Sequence, residues 1–157
     1  MPELSSINPI EFDASNQTLS ATGEAILDLG NTKIKADEIL FNKKINAVSA
    51  EGNVNFASKN HRLLTDSFNY QLEVDRFEIG NIKYGYWPFY IKATGGEGTS
   101  KNISLNEPTL FYGYSGNFIP NIKASSINIA DNEVSLKNAQ IRIGEIPIFY
   151  LPKIKYN

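Results

Sequence analysis

The sequence predicts an all-β fold built from many short strands. Three observations carry that expectation: apolar and polar residues alternate with period two, turn signals recur every eight to twelve residues, and an internal repeat has a step of 29 residues. No window of eleven residues places apolar side chains at i, i+3, i+4 and i+7 between plausible caps, so a helical signal is missing.

The alternation is clearest where Val48, Ala50, Gly52, Val54 and Phe56 fall on one face of an extended segment and Ser49, Glu51, Asn53 and Asn55 on the other. Ile127 and Ile129 flank Asn128, and Ile141 and Ile143 flank Arg142, in the same way. Gly30-Asn31, Asn42-Lys43, Lys59-Asn60 and Asp131-Asn132 supply the breaks. Short strands at even spacing admit a sandwich, a barrel, a jellyroll or a β-solenoid. Gly95-Gly96-Glu97-Gly98 reads as a flexible turn. The stretch from Thr94 to Asn117, punctuated by Pro108, Gly113 and Gly116, reads as a longer excursion within the same domain.

The repeat gives these strands a unit. Gly23 in Ala21-Thr22-Gly23-Glu24-Ala25 lies 29 residues before Gly52 in Ala50-Glu51-Gly52-Asn53-Val54. The same step carries Lys35 to Phe41 onto Leu64 to Tyr70, Ile45 onto Val74, Val48 onto Phe77 and Ala50 onto Ile79. A weaker third copy runs from Lys123-Ala124-Ser125-Ser126-Ile127 to Lys137-Asn138-Ala139. Within a unit, Ile34 and Ala36 share a face, as do Ile39 and Phe41, but the step from Ala36 to Ile39 is three. One extra residue near Asp37-Glu38, recurring at Asp66-Ser67, is therefore expected to reset the phase through a bulge or a corner. Each unit is a strand, a bend, a strand, a tight turn and a return strand, and such units must stack to bury their apolar sides.

Composition sets the outer limits. A chain of 157 residues, 41% hydrophobic and 20% charged, suits one domain spanning residues 1–157 with a real core, and is not the composition of a disordered chain. A net charge of −2 provides no field to recruit nucleic acid, and three arginines among fifteen basic residues argue against a bidentate phosphate-binding cluster. The absence of cysteine removes disulfides and thiolate metal sites. Met1-Pro2-Glu3 has neither a basic n-region nor an apolar h-region, so the chain reads as an excised domain with Met1 an added start.

The repeat unit resembles the OstA-like family, which includes the LptA bridge protein and the N-terminal periplasmic domain of the LPS-assembly protein LptD. Ala21-Thr22-Gly23, Ala36-Asp37-Glu38-Ile39-Leu40-Phe41 and Ala50-Glu51-Gly52-Asn53-Val54 carry the resemblance over residues ~18–82. Ala124-Ser125-Ser126-Ile127-Asn128-Ile129, followed by Ile146-Pro147-Ile148-Phe149-Tyr150-Leu151-Pro152, resembles the segment leading from the LptD jellyroll into its barrel. LptA-type proteins lack that proline-bounded run. The cysteines that some LptD proteins use to couple domain and barrel are absent, and no barrel is present in 157 residues.

The resemblance implies an open, V-shaped β-jellyroll of stacked short antiparallel strands, periplasmic and associated with the outer membrane. It implies lipopolysaccharide as the ligand, with its acyl chains in an apolar groove, and no enzymatic step. The implied partners are an LptA-like jellyroll added by edge-strand pairing, and an outer-membrane barrel with its lipoprotein partner beyond residues 146–157. Two rivals stand beside this. One is a parallel β-helix that binds or cleaves polysaccharide, which a 29-residue coil and asparagine ladders would suit; however, Asn31, Asn42 and Asn46 map onto Asn60, Gln71 and Asp75, so the ladder mostly fails. The other is an LptA- or LptC-type bridge subunit.

The candidate groove is the inward stripe Ile34, Ala36, Ile39, Phe41, Val48, Ala50, Val54, Phe56, Phe68, Tyr70, Phe77 and Ile79. Such a stripe is also what any core requires. Acyl chains gain about 25 cal/mol per Å² buried, so no polar motif need accompany it. Tyr84-Gly85-Tyr86-Trp87-Pro88-Phe89-Tyr90 reads either as a platform for sugars or lipid, or as a strand whose aromatics close a sheet. Phe149-Tyr150-Leu151-Pro152 reads either as a lipid gate or as a linker strand held extended by prolines. His61, the single histidine, reads as a solvated turn residue, leaving no histidine metal site or triad. Asp37-Glu38 and Glu73-Asp75 read as solubilising charge, and Gly95 to Gly98 lacks the lysine and hydroxyl of a phosphate loop. No cofactor is expected.

Overall fold

The computed structural model describes residues 2–58, 62–86, 89–99, 101–113, 118–130 and 133–156, and these form sixteen strands and no helix. They cluster into two compact units, Met1–Gly80 and Asn81–Asn157. His61, Trp87, Pro88, Lys59-Asn60, Gly116-Asn117 and Asp131-Asn132 lie outside the described residues.

The first unit contains β1 (Glu3–Ser5), β2 (Glu11–Asp13), β3 (Thr18–Asp28), β4 (Thr32–Asn42), β5 (Ala47–Ser58), β6 (Arg62–Gln71) and β7 (Arg76–Ile79). Strands β3 to β7 form an antiparallel meander, and β1 and β2 both pair with β3, near its two ends. The 29-residue step appears in the backbone of its turns. Residues 14–17, 43–46 and 72–75 are the turns after β2, β4 and β6, and each closes on a residue with positive φ: Gln17, Asn46 or Asp75. Asp13 Oδ1 accepts the amides of Ser15 and Asn16, and 29 residues on, Asn42 Oδ1 accepts those of Lys44 and Ile45. Asp and Asn side chains that mimic a turn carbonyl in this way explain why these types recur there.

The bend is present, and its construction differs from the expectation. The phase reset does fall at Ala36 to Ile39 and at Thr65 to Phe68, where buried positions step by three. The unpaired extra residue, however, sits on the facing strands. On β3 the pairing skips Gly23-Glu24 against a single residue of β4, and on β5 it skips Gly52-Asn53 against a single residue of β6. Buried positions on these strands step by four, from Ala21 to Ala25 and from Ala50 to Val54. Steps of four and three thus alternate across β3, β4, β5 and β6, and every strand turns the corner with its apolar side still inward. The bulged pairs take successive left-handed conformations, with φ of 77° and 48° at Gly23 and Glu24, and 75° and 48° at Gly52 and Asn53.

The second unit contains β8 (Ile82–Tyr86), β9 (Phe89–Ala93), β10 (Gly95–Gly98), β11 (Asn102–Asn106), β12 (Thr109–Tyr112), β13 (Pro120–Lys123), β14 (Ser126–Ala130), β15 (Glu133–Ile143) and β16 (Ile146–Tyr156). The long strand β15 joins two branches. Its first half pairs with β14, followed by β11 and β10; its second half pairs with β13, followed by β12, β9 and β8. β16 runs antiparallel along the other edge of β15. The third copy of the repeat is here, with Asn138 at φ 51° and its Nδ2 donating to Ser125 Oγ at 3.2 Å.

Two expectations for this region are corrected. Gly95 to Gly98 is a strand, β10, paired residue for residue with β11, and the supposed excursion from Thr94 is largely β10, β11 and β12. Gly96 serves close packing rather than a turn. A Cβ at Gly96 would lie 2.7 Å from the Ser104 carbonyl oxygen and 2.8 Å from Leu105 Cδ2. Every described pairing is antiparallel, which removes the parallel β-helix.

Candidate functional site

The alternating steps of the first unit bring its apolar residues into rows across the strands. One row runs Leu19, Phe41, Val48, Tyr70, Phe77, and the next runs Ala21, Ile39, Ala50, Phe68, Ile79. Beyond the bend, Leu27, Ile34, Phe56 and Leu63 form a third row, with Ala25–Ala36 and Val54–Thr65 pairs at the corner. All twelve residues of the expected stripe lie on this side. Thr65, the buried polar member, is satisfied locally: its Oγ1 donates to the Ser67 carbonyl at 3.0 Å.

Accessibility divides the stripe. Ile34, Ile39, Ala50 and Val54 are fully buried, whereas Phe41, Phe56 and Tyr70 are only half-buried. Phe68 is the centre of an aromatic cluster, with ring centroids 5.2 Å from Phe56, 6.0 Å from Tyr70 and 5.7 Å from Phe77. At 1% exposure it is core in this conformation, and the half-buried aromatics around it are what a ligand would meet first. The Tyr70 hydroxyl donates to Asp75 Oδ1 at 3.0 Å, and burial followed by that carboxylate holds its pKa above the ordinary value.

Five apolar residues of this side are absent from the expected stripe: Leu19, Ala21, Ala25, Leu27 and Leu63. All five are recoverable from the repeat, because the 29-residue step places Leu19, Ala21, Ala25 and Leu27 onto Val48, Ala50, Val54 and Phe56, and Ile34 onto Leu63. Asp37 and Asp75, expected as solubilising charge, have structural partners instead: Asp37 accepts from Asn53 and Asp75 from Tyr70.

The proline-bounded run near the C-terminus is an extended strand. Ile146, Ile148, Phe149 and Tyr150 of β16 are exposed, and the register shifts between Ile141 and Arg142, where Phe149 and Pro147 are their partners. Tyr150 donates to Asn138 Oδ1 at 3.0 Å. Of the aromatic segment, Tyr86 and Phe89 are paired across the β8–β9 hairpin.

No family model matches the chain. Over most of its length it is similar to curated proteins named LPS-assembly protein LptD. It is 24% identical over 147 residues to that of Vibrio cholerae, covering 88% of this chain and 18% of the relative. It is 28% identical over 148 residues to that of Aliivibrio fischeri, covering 90% and 19%. The chain therefore spans less than a fifth of the length of these relatives. Among solved structures it resembles LptH of Pseudomonas aeruginosa, described as the LptA-homologous periplasmic component of the lipopolysaccharide transport device. The TM-score is 0.56 and the identity 12%, covering 62% of this chain and 74% of that one, a likeness that shows shared fold. The resemblance to LptD drawn from the Ala36-Asp37 and Ile146-Pro147 motifs is borne out by these relatives.

Proposed function

We propose that this chain is a non-enzymatic lipopolysaccharide-transport module that takes lipid acyl chains against the apolar side of its bent strands and passes them toward the outer membrane. The observation that carries the proposal is the run of unbroken apolar rows across β3 to β7, in a chain similar over most of its length to LptD. Acyl chains need no fixed polar partners, and burial of their surface at about 25 cal/mol per Å² is sufficient drive. A transport path must also release its cargo, and half-buried Phe41, Phe56 and Tyr70 offer contact without deep enclosure.

In this role the module is periplasmic and outer-membrane associated, and residues 1–157 act as one domain. Residues 146–157 lead toward a barrel and its lipoprotein partner, and an LptA-like jellyroll adds by strand pairing. Relatives named LptD favour this over an LptA- or LptC-type bridge subunit.

Phe41→Asp tests the proposal. A carboxylate at this half-buried position would oppose acyl-chain burial while leaving the fully buried Ile34, Ile39 and Phe68 in place. Lipopolysaccharide should bind the unaltered chain and bind the variant at least tenfold more weakly, with circular dichroism unchanged. Equal binding by both, or polysaccharide binding without the lipid, would overturn it.

A further inference from the structure

We propose that the second unit carries a binding site for the phosphate monoester headgroup of an amphipathic lipid, an inference that rests on the transport function above. The site is a pocket of about 650 Å³ on the β9, β12, β13 and β15 strands and the β15–β16 turn. Strand register assembles it. Lys92, Thr109 and Lys123 are direct cross-strand neighbours on β9, β12 and β13. Two residues along, and so on the same face, Phe111, Asn121 and Arg142 are neighbours on β12, β13 and β15.

Two features point to an anion. First, the pocket gathers Lys92, Lys123 and Arg142 against the single carboxylate of Glu145, in a chain whose net charge is −2. Two strand spacings place the Lys92 and Lys123 backbones about 10 Å apart with the Thr109 hydroxyl between them, a span that a tetrahedral anion can bridge. Second, Arg142 is held but not satisfied. Its Nη2 donates to the Glu145 carbonyl at 2.7 Å, fixing the guanidinium at the turn, while its Nε–H is buried without an acceptor. A guanidinium fixed by a bond to a neutral carbonyl carries its positive charge at the pocket wall, where an anion can pair with it. Asn121, also buried, is occupied by the Ile119 and Gly144 carbonyls and so braces the turn rather than competing for the ligand.

The rest of the lining indicates that the anion belongs to a lipid. Phe111, Phe118, Ile143 and Ile146 border the same pocket, and Phe118 is 89% exposed. Lys92 Nζ lies 5.5 Å from the Phe111 ring centroid, which sets a cation over apolar surface. Cations and exposed apolar groups in one pocket match an anionic head joined to acyl chains better than a free ion.

The test titrates the full chain with diphosphorylated lipid A, with the same lipid stripped of its phosphates, and with inorganic phosphate. The unaltered chain should bind the phosphorylated lipid at least tenfold tighter than the stripped one, since each charge-assisted contact removed weakens binding on the order of tenfold. Arg142→Gln, and separately the Lys92→Gln/Lys123→Gln pair, which leaves the turn bond intact, should abolish the preference without altering affinity for the stripped lipid. If the stripped lipid binds as well as the phosphorylated one, or both variants keep the preference, the headgroup site is wrong and the transport function stands. If inorganic phosphate binds as tightly as the phosphorylated lipid, the site belongs to a free anion and the lipid assignment falls. If neither lipid binds, the transport function fails and this inference with it.

Discussion

Asn53 donates from Nδ2 to Asp37 Oδ2 at 2.9 Å, across the point where β4 and β5 turn the corner. The bond joins the left-handed residue of one bulge to the carboxylate at the phase reset of the facing strand. Beside it, Gly52 has φ +75°, and a Cβ there would collide with the same Asp37 carboxylate. The corner therefore depends on one residue that lacks a side chain and one whose side chain fits the left-handed region.

Gly52→Ala should destabilise the chain by about 3 kcal/mol, combining a left-handed backbone cost of roughly 1–2 kcal/mol with displacement of Asp37. Gly30→Ala is the control. Gly30 also has positive φ, +85°, but a Cβ there would meet nothing within 4 Å, so only the backbone cost of about 1 kcal/mol should appear. Urea midpoints of the two variants separate clash from conformation.

Asn53→Gly should cost less than Asn53→Ala. Glycine keeps the positive φ of 48° at no steric cost and loses only the bond to Asp37, whereas alanine loses the bond and strains the backbone. A difference of about 1 kcal/mol in unfolding free energy is expected, with alanine the worse.

Phe68→Ala should cost about 3–5 kcal/mol, because the ring is the buried centre of the aromatic cluster and its loss leaves a cavity. Phe41→Ala, at a half-buried position, should cost less than half as much. Chemical denaturation at one temperature gives both values.

Stability should fall as pH rises above about 10 through a contribution from Tyr70. Its folded pKa is raised above the ordinary 10.0 by burial and by Asp75, so the fold favours the neutral phenol. That contribution is fully present below the unfolded pKa and is lost as pH climbs through the folded one. Tyr70→Phe should flatten the urea-midpoint profile above about pH 10 relative to the unaltered chain.

Much of this architecture is legible in the sequence because it is local and repeats. The turn residue Asn42, and the apolar set from Ile34 to Ile79, follow from period and step alone. The bulge is assigned to the wrong strand by side-chain phase, because phase along β4 reports which way residues face, not how many residues the partner strand spends at the corner. Gly95 to Gly98 reads as a turn because glycine permits one, but glycine also permits close approach, and only the position of Leu105 distinguishes the two. The count of arginines argues against a phosphate cluster; Lys92, Lys123 and Arg142 meet only through the register of β9, β12, β13 and β15, which no local pattern encodes.

Photo-crosslinking from adjacent positions on β4 tests the central claim most directly. Phe41 faces the apolar rows and Leu40, beside it and also apolar, faces outward with 37% exposure. With lipopolysaccharide present, a photoreactive residue at Phe41 should capture the lipid and one at Leu40 should not. Equal capture at both, or capture at Leu40 alone, would contradict a lipid path along the inner side of the bent strands.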